Sequence, residues 1–287
     1  MRVRTLTCLL LLVLLGACAA TTKAQPTTSP TTAPAADGYK LVWSDEFNTD
    51  GPLNPADWDF ERGFVRNNEL QWYQPENATC AGGFLVIEGR RETKTKANPR
   101  YRQGSKNWRE RRPNIEYTAA SAITRGKHAW QYGRFEIRAK IDTRPGSWPA
   151  FWMLGVKGGW PAGGEIDIME YYRGTLLANL VWARTGGNGQ QWNTGKKPLS
   201  EFPADWADRF HTWRMDWDEH AVELYCDDDL LNRQDLSKTI NPDGTNPFHQ
   251  PAYLLLNQAI GGDNGGDPSK TEFPLRFMVD YVRVYQK

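Results

Sequence analysis

The sequence predicts an all-β domain, either a sandwich or a barrel, from two observations. Many short segments alternate apolar and polar side chains, and Gly, Pro, Asn and Asp separate them. No stretch carries a long helical period, although residues 203–210 could form a short helix. The length of 287 residues fits one all-β domain after a leader, and no internal repeat or second domain boundary is visible.

The predicted strands follow one another from residue 39 onward. Residues 134–141 alternate cleanly, as a half-buried strand of an antiparallel sheet should. Residues 213–217 and 221–225 flank a polar stretch and predict a hairpin. Further strands are predicted at 41–43, 84–87 and 277–285. Long irregular loops are predicted at 90–113, 185–194 and 261–266.

Charge and composition narrow the function. The formal net charge is +1, and this near-neutral balance argues against a protein that binds nucleic acid by neutralising phosphates. Aromatic residues include 13 Trp, whose flat faces suit sugar rings as well as protein cores. The strongly basic stretch 91–112 is either a solvated loop or a binding wall for an anionic or bulky substrate.

The first 18 residues predict an export signal rather than part of the fold. Arg2 and Arg4 precede an apolar run over 9–15 that is too short to span a membrane as a mature helix. The run ends in Leu15-Gly16-Ala17-Cys18, which resembles a bacterial lipobox, so cleavage would leave Cys18 as a lipidated N-terminus. An ordinary signal peptide cut after a small residue is the alternative. Because no Asp follows Cys18 directly, we expect an exported lipoprotein of the outer membrane or cell surface.

Residues 19–36 connect this signal to the folded part of the chain. Thr, Pro, Ala and Ser dominate them and predict a disordered tether, which leaves residues 37–287 as one domain. Of the 4 cysteines, Cys80 and Cys226 belong to that domain. Export permits a disulfide between them, and two buried free thiols are the alternative.

Three carboxylates lie close together in residues 164–170. Glu165 and Asp167 alternate with isoleucines, which predicts a strand that carries its acids on one face. Glu170 is out of register with them. One extra residue near 168–169, a β-bulge, would return Glu170 to the face of the other two acids, and bulges often redirect a side chain beside an active site.

Two carboxylates on one surface suit glycoside hydrolysis, in which one attacks and the other donates a proton. The simplest alternative is an exposed edge strand with solvated acids, which the upstream tryptophans disfavour: Trp148, Trp152 and Trp160. A metal site competes for the acids, but no His neighbours the strand. A non-catalytic carbohydrate-binding module would keep the aromatic residues without needing this spacing of acids. A Ser or Cys triad finds no support.

Residues 160–170, Trp-Pro-Ala-Gly-Gly-Glu-Ile-Asp-Ile-Met-Glu, resemble the signature of glycoside hydrolase family 16. The bulged E-x-D-x-x-E form is typical of laminarinases, which are endo-β-1,3-glucanases. Supporting motifs lie at 43–47, 67–71, 132–136, 148–154 and 280–285. The strand at 179–183 lacks the His that laminarinases usually carry there.

This resemblance implies a β-jelly-roll sandwich of two antiparallel sheets, with the substrate cleft on the concave face of a catalytic domain over 37–287. It also implies retaining hydrolysis of internal linkages in β-1,3-glucan (laminarin) or mixed-linkage β-1,3-1,4-glucan. The same chemistry on a β-galactan such as agarose, porphyran or carrageenan is the alternative. A glycan-binding surface lipoprotein without turnover is a further one.

The resemblance also assigns residues. Glu165 is expected to be the nucleophile, Asp167 its assisting acid and Glu170 the general acid/base. The expected substrate-binding residues are Trp148, Trp152, Asn67, Glu69, Trp160, Trp182 and Gln258, of which Trp160 could equally lie in the core. No cofactor is expected for catalysis, and a possible structural Ca²⁺ would be held by Glu46, Asp280 and the carbonyl of Gly83. The expected partners are a polysaccharide and, through the lipid anchor alone, a membrane; no nucleic acid is expected, and the protein is expected to be a monomer.

Overall fold

The structure, a computed structural model, describes residues 38–184 and 189–287. The described residues contain two four-residue helices, α1 (Trp108–Arg111) and α2 (Gly262–Gly265). They contain the following strands in chain order: β1 (Lys40–Asp45), β2 (Asp59–Phe60), β3 (Gln71–Tyr73), β4 (Ala78–Ala81), β5 (Phe84–Ala97), β6 (Asn114–Ala119), β7 (Ser121–Ile123), β8 (Gly133–Lys140), β9 (Ser147–Gly155), β10 (Glu165–Tyr172), β11 (Thr175–Ala183), β12 (Gln190–Pro198), β13 (His211–Trp217), β14 (Ala221–Cys226), β15 (Asp229–Asp235), β16 (Ala252–Ile260) and β17 (Leu275–Gln286).

The strands form two sheets. The ten-stranded sheet has the order β15-β14-β13-β8-β17-β5-β6-β3, with β1 also paired to β17 and β4 to β5. The seven-stranded sheet has the order β12-β11-β10-β9-β16-β7-β2. The strand pairs that join these elements are antiparallel apart from β3 with β6, which is parallel. The predicted jelly-roll sandwich is therefore confirmed.

The core lies between the two sheets. Along β8 every second residue is buried, which matches the alternation seen in the sequence. Burying an aliphatic or aromatic side chain fully contributes roughly 1.5–3 kcal/mol each, so facing rows of such side chains hold the sheets together. The rows include Phe135, Ile137, Phe151, Met153, Ile166, Trp213, Met215, Phe277 and Val279.

Several predicted elements differ from the observed ones. The hairpin of β13 and β14 is confirmed. The long loop predicted at 90–113 is shorter, because β5 continues to Ala97 and α1 occupies part of the rest. In the loop predicted at 185–194, residues 185–188 lie outside the described residues and β12 begins at Gln190. The short helix predicted at 203–210 is one 3-10 turn at Trp206–Asp208.

Cys80 and Cys226 are buried and free, so the alternative of two thiols is the one observed. The predicted signal peptide, Cys18 and the tether lie outside the described residues. Among the residues that are described, no helix has the length and apolarity that crossing a membrane requires.

Candidate active site

The strand β10 carries the three acids, and it contains the predicted bulge. Asp167 faces Asn179 of β11, whereas Glu170 faces Leu177, so β10 uses three residues where β11 uses two. The same extra residue appears against β9. Two successive residues, Ile168 and Met169, therefore turn into the core before Glu170 returns to the outer face.

A glycine fixes where this strand begins. Gly164 has a φ of +79°, a conformation that L-residues with a side chain rarely adopt. A Cβ atom at this position would lie 2.9 Å from Pro247, so a larger residue would also collide. Gly164 therefore allows the close packing that places Glu165 at the start of β10.

The acids are joined by Asn179, which neighbours them on β11. Its Nδ2 donates to Oδ2 of Asp167 at 2.9 Å and to Oε2 of Glu170 at 3.0 Å. Asp167 is also hydrogen-bonded to Glu165. The three carboxyl groups are thus held in one network, and a proton moved at one of them affects the others.

Two tryptophan indoles donate hydrogen bonds to the first and the last of the three acids. Trp148 Nε1 donates to Glu170 Oε1 at 2.7 Å, and Trp160 Nε1 donates to Glu165 Oε2. Trp148 is almost fully buried, whereas Trp160 is 54% exposed. Trp160 therefore belongs to the cleft wall, which decides between the two locations that the sequence allowed.

The surroundings of the three acids change their pKa values. Burial raises the pKa of Glu170 to about 7, against the opposing effect of the Trp148 hydrogen bond. Burial and the charges of both glutamates raise the pKa of Asp167 well above its ordinary value. Burial also raises the pKa of Glu165, but hydrogen bonds from Asp167 and Trp160 and the charge of Arg66 oppose this. Burial thus raises the pKa of all three acids, and only Glu165 has a nearby cation, Arg66, that opposes this.

These acids lie in a cleft of about 610 Å³ on the outer face of the seven-stranded sheet. The cleft continues on both sides of β10. One side is lined by Arg66, Asn67, Trp148, Trp152, Leu154, Trp160 and Asn264. The other is lined by Leu177, Asn179, Gln190, Trp192, Thr194 and Lys196. An extended chain could therefore cross the catalytic strand.

The structure places most of the predicted sugar-binding residues in the cleft and three outside it. Trp148, Trp152, Trp160 and Asn67 line it, as predicted. Trp182 packs between the sheets against Phe248, because it is on the inner face of β11, so its prediction is wrong. Gln258 is fully buried and bonds to Ser147, and Glu69 is 2% exposed. Neither buried side chain can contact a sugar directly in this structure.

Glu69 instead shapes the loop that presents Asn67. Its carboxyl accepts from Gln71 at 2.7 Å and from Asn67 at 3.4 Å. Burial raises the pKa of Glu69 to about 7. Gly262 packs on the same loop, where a Cβ atom would lie 2.6 Å from the Asn67 carbonyl oxygen. The role of Glu69 is therefore to support the cleft wall from beneath.

The basic stretch 91–112 supports this loop too. Arg109 donates to the carbonyls of Phe64 and Val65. Arg112 donates to the carbonyls of Asn68 and Glu69. These two arginines are engaged with the backbone, so they do not form the binding wall that the sequence allowed as an alternative to a solvated loop.

Sequence reasoning missed several residues of the cleft. Asn179 gave no signal because its partners, Asp167 and Glu170, are on another strand. Trp192 and Lys196 fell in or beside a stretch taken for a loop, although alternate residues of β12 face the cleft. Arg66 directly precedes Asn67 in the sequence and could have been noticed as a cation beside a predicted binding residue.

The two carboxylates predicted as calcium ligands, Glu46 and Asp280, already have cationic partners. Both carboxylate oxygens of Glu46 accept from Arg283, at 2.9 and 2.7 Å. Asp280 is ion-paired with Arg138. Gly83 lies in the turn before β5 with a φ of +82°. This donor set does not fit Ca²⁺ unless both arginines move away, and a structural calcium remains a prediction.

The sequence and fold identify the family. Residues 90–283 match the profile of glycosyl hydrolases family 16. The chain belongs to this family. A protein from Rhodothermus marinus named "Beta-glucanase" is 36% identical, covering 86% of this chain and 85% of the other. The chain is also 30% identical to a "Keratan-sulfate endo-1,4-beta-galactosidase" of Sphingobacterium multivorum, over 89% of this chain and 57% of that protein.

Solved structures agree with this membership. The laminarinase catalytic domain of Thermotoga maritima MSB8 superposes with a TM-score of 0.72 at 35% identity, covering 87% of this chain and 98% of the other. A structure described with endo-acting O-glycanases of human gut microbiota that initiate mucin breakdown superposes with a TM-score of 0.80 at 34% identity. This superposition covers 90% of this chain and 94% of the other. The protein is a glycoside hydrolase.

Proposed function

We propose that the protein cleaves internal linkages of a β-1,3-glucan or mixed-linkage β-1,3-1,4-glucan with retention of configuration. The observation that carries this proposal is the bulged strand, which places Glu165, Asp167 and Glu170 side by side in a cleft that continues on both sides. A cleft that continues past the catalytic acids suits a substrate bound in mid-chain. The similarity to a named β-glucanase and to a laminarinase domain supports the choice of glucan.

Each acid has a distinct task in this mechanism. Glu170, whose pKa is raised to about 7 by burial, gives its proton to the glycosidic oxygen as that bond breaks. The Glu165 carboxylate attacks the anomeric carbon and forms a glycosyl ester, while the shortened chain leaves as an alcohol. Ionised Glu170 then takes a proton from water, whose oxygen attacks the same carbon and releases Glu165.

Asp167 assists the nucleophile through its own proton. The pKa of Asp167 is raised well above its usual value by burial and by the neighbouring glutamates, so the group is held protonated. A protonated Asp167 donates a hydrogen bond to Glu165 and orients its carboxylate. The same proton steadies the Glu165 oxygen when the glycosyl ester breaks.

Indoles provide the sugar platforms. Trp160 lies on one side of β10 and Trp192 on the other. Trp160 is 54% and Trp192 is 43% exposed, unusually open for tryptophan in a folded domain. Flat apolar faces on both sides of the acids support binding of sugar rings before and after the cleaved bond.

A substrate panel tests the proposal. Reducing-sugar release is measured on laminarin, lichenan, agarose and carrageenan with the wild-type chain, Glu165→Gln and Glu170→Gln. We expect wild-type release from laminarin or lichenan and loss of at least about 1,000-fold in each variant, because a required group is removed. Glu219→Gln is the control, since Glu219 is exposed and lies outside the cleft lining. Full activity of Glu165→Gln would refute its assigned role.

A β-galactan, neutral or sulfated, is the second candidate. Among the described residues, the cleft lining includes two cations, Arg66 and Lys196, and Lys196 is exposed on β12. Sulfate esters would suit such cations. The similarity to a keratan-sulfate endo-β-galactosidase supports this alternative. Release from agarose or carrageenan, with none from laminarin or lichenan, would decide for it.

We also propose that the enzyme is a lipoprotein of the outer membrane or cell surface, anchored at Cys18. The lipobox-like Leu15-Gly16-Ala17-Cys18 and the tether that follows support this. Metabolic labelling with a palmitate analogue in a bacterial host should mark the wild-type chain and not Cys18→Ser. Equal labelling of both chains would refute the anchor.

A further inference from the structure

We propose that Arg66 is a positioning residue that fixes the Trp152 indole in the cleft and places a permanent positive charge beside Glu165. The inference rests on the proposed function, in which Glu165 attacks as a carboxylate. Arg66 lies in the loop between β2 and β3 and lines the same cleft as Glu165 and Asp167. It takes no direct part in bond making.

The guanidinium is held in place from behind. Arg66 is ion-paired with Glu61, and the two side chains are 21% and 14% exposed. Ser121 of β7 donates its hydroxyl to the same Glu61 oxygen at 2.6 Å. Because Glu61 is fixed by a buried strand residue, Arg66 cannot swing freely into solvent.

Arg66 also covers the face of Trp152. The Cζ atom of Arg66 lies 4.9 Å from the Trp152 ring centroid, a distance at which a cation is attracted to the ring. The edge of the same indole is tied to Asn257 by a 2.7 Å hydrogen bond from Nε1 to Oδ1. Trp152 is therefore fixed both at its face and at its edge, so its angle in the cleft is defined before a sugar binds.

The charge acts on Glu165. Its two strand partners, Leu154 on β9 and Val181 on β11, carry no charge. The titratable groups that share the cleft are Asp167, Glu170, Tyr172, Lys196 and Arg66. Arg66 lowers the pKa of Glu165 against the effect of burial. Removing its charge should therefore make Glu165 harder to ionise.

A purely structural role is the competing interpretation. Glu61 and Glu69 both interact with Arg66, so the guanidinium could serve only to neutralise buried acids. That role predicts a loss of folded protein on substitution but no change in the protonation of Glu165. The two interpretations thus differ in pH dependence, not in stability.

The test compares Arg66→Gln with Arg66→Lys. In Arg66→Gln, the acidic limb of the kcat/KM profile should move to higher pH by about one unit, because a nearby opposite charge is lost. In Arg66→Lys, the limb should stay near its wild-type position, since the charge remains. Its KM should rise roughly threefold, because the planar group on Trp152 is lost. Arg62→Gln is the control, as Arg62 is 60% exposed and outside the cleft lining.

An unchanged acidic limb in folded Arg66→Gln overturns the proposal. If Arg66→Gln does not fold, Glu61→Gln replaces it. Without its ion-pair partner the Arg66 guanidinium should hold Trp152 less firmly, so KM should rise. A wild-type KM together with a wild-type pH profile in Glu61→Gln overturns the inference. The pKa of Glu165 can also be followed by ¹³C NMR of its carboxyl, assigned with Glu165→Gln. This titration needs no turnover. A wild-type chain inactive on every polysaccharide would refute the proposed function, while the titration still decides the role of Arg66.

Discussion

The indole of Trp148 donates a 2.7 Å hydrogen bond to one carboxyl oxygen of Glu170. A donor of this kind favours the ionised acid, whereas burial favours the protonated one. Burial is the larger effect, and the pKa of Glu170 is raised to about 7. Trp148 thus keeps a buried proton donor within the range where it can also act as a base.

Replacing Trp148 by Phe should move the basic limb of the kcat/KM profile to higher pH. The lost hydrogen bond stabilised the ionised acid, so its removal raises the pKa of Glu170, by roughly half a unit to one unit. Trp192→Phe is the control, because Trp192 also lines the cleft but lies on β12, two strands away from the acids on β10. A basic limb in Trp148→Phe that stays in place or moves to lower pH would contradict the assignment.

Replacing Glu170 by Gln should stabilise the fold at alkaline pH at the expense of activity. The pKa of Glu170 in the folded chain, about 7, lies above its ordinary value of 4.5. The folded state therefore binds the proton more tightly than the unfolded state does. The resulting contribution to the free energy of unfolding is fully present below pH 4.5 and is lost as the pH rises through 7.

The free energy of unfolding of Glu170→Gln, minus that of the wild type, should therefore increase between pH 4.5 and 8, by up to about 3 kcal/mol. Urea unfolding at both pH values measures this change. Glu219→Gln, at an exposed site, should show no such increase. A difference for Glu170→Gln that is constant with pH would mean that burial does not raise the pKa of Glu170.

Replacing Arg112 by Ala should weaken substrate binding more than it slows the chemical step. Arg112 donates to the carbonyls of Asn68 and Glu69, so its loss loosens the loop that presents Asn67. We expect KM to rise about three- to tenfold with a smaller change in kcat, the cost of one or two lost charge-assisted hydrogen bonds. Steady-state kinetics on the preferred polysaccharide measure both constants.

Arg111→Ala is the matched control for this change, since Arg111 is the adjacent arginine and is exposed. If the stretch 91–112 served as an anionic binding wall, both variants would weaken binding of a sulfated polysaccharide equally. Equal effects would therefore refute the bracing role of Arg112.

The two thiols should be inaccessible in the native domain. Burial raises the pKa of Cys80 to about 11, and burial likewise raises the pKa of Cys226 far above its ordinary value. A chain beginning at residue 37 should release no chromophore from a thiol reagent at pH 8 when folded, and two equivalents in guanidinium chloride without reductant. Zero equivalents after denaturation would instead indicate a disulfide.

The sequence predicted local features of this fold better than tertiary ones. The bulge in β10 was predictable because a strand has a period of two and Glu170 breaks it. The free state of Cys80 and Cys226 was left open, because pairing depends on where β4 and β14 lie in space. Strand β12 was missed at its start, because its Gly, Asn and Gln residues are typical of loops.

Contacts between distant segments explain the errors at the site. Trp160 and Trp182 are both tryptophans near the acids, yet one is 54% exposed in the cleft and the other 7% exposed in the core. Their fates depend on which face of the sheet each occupies, which short motifs do not reveal. Likewise, the partners of Arg112 lie more than 40 residues earlier in the chain, so no local pattern predicts its contacts.

The anomeric configuration of the first product tests the central claim most directly. Wild-type hydrolysis of laminarin, or of whichever polysaccharide in the panel is cleaved, is followed by ¹H NMR from the first minutes. If Glu165 attacks and Glu170 acts as acid and then base, the new reducing ends appear first as the β anomer and reach the α/β equilibrium later. Initial formation of the α anomer would contradict the double displacement and the role given to Glu165.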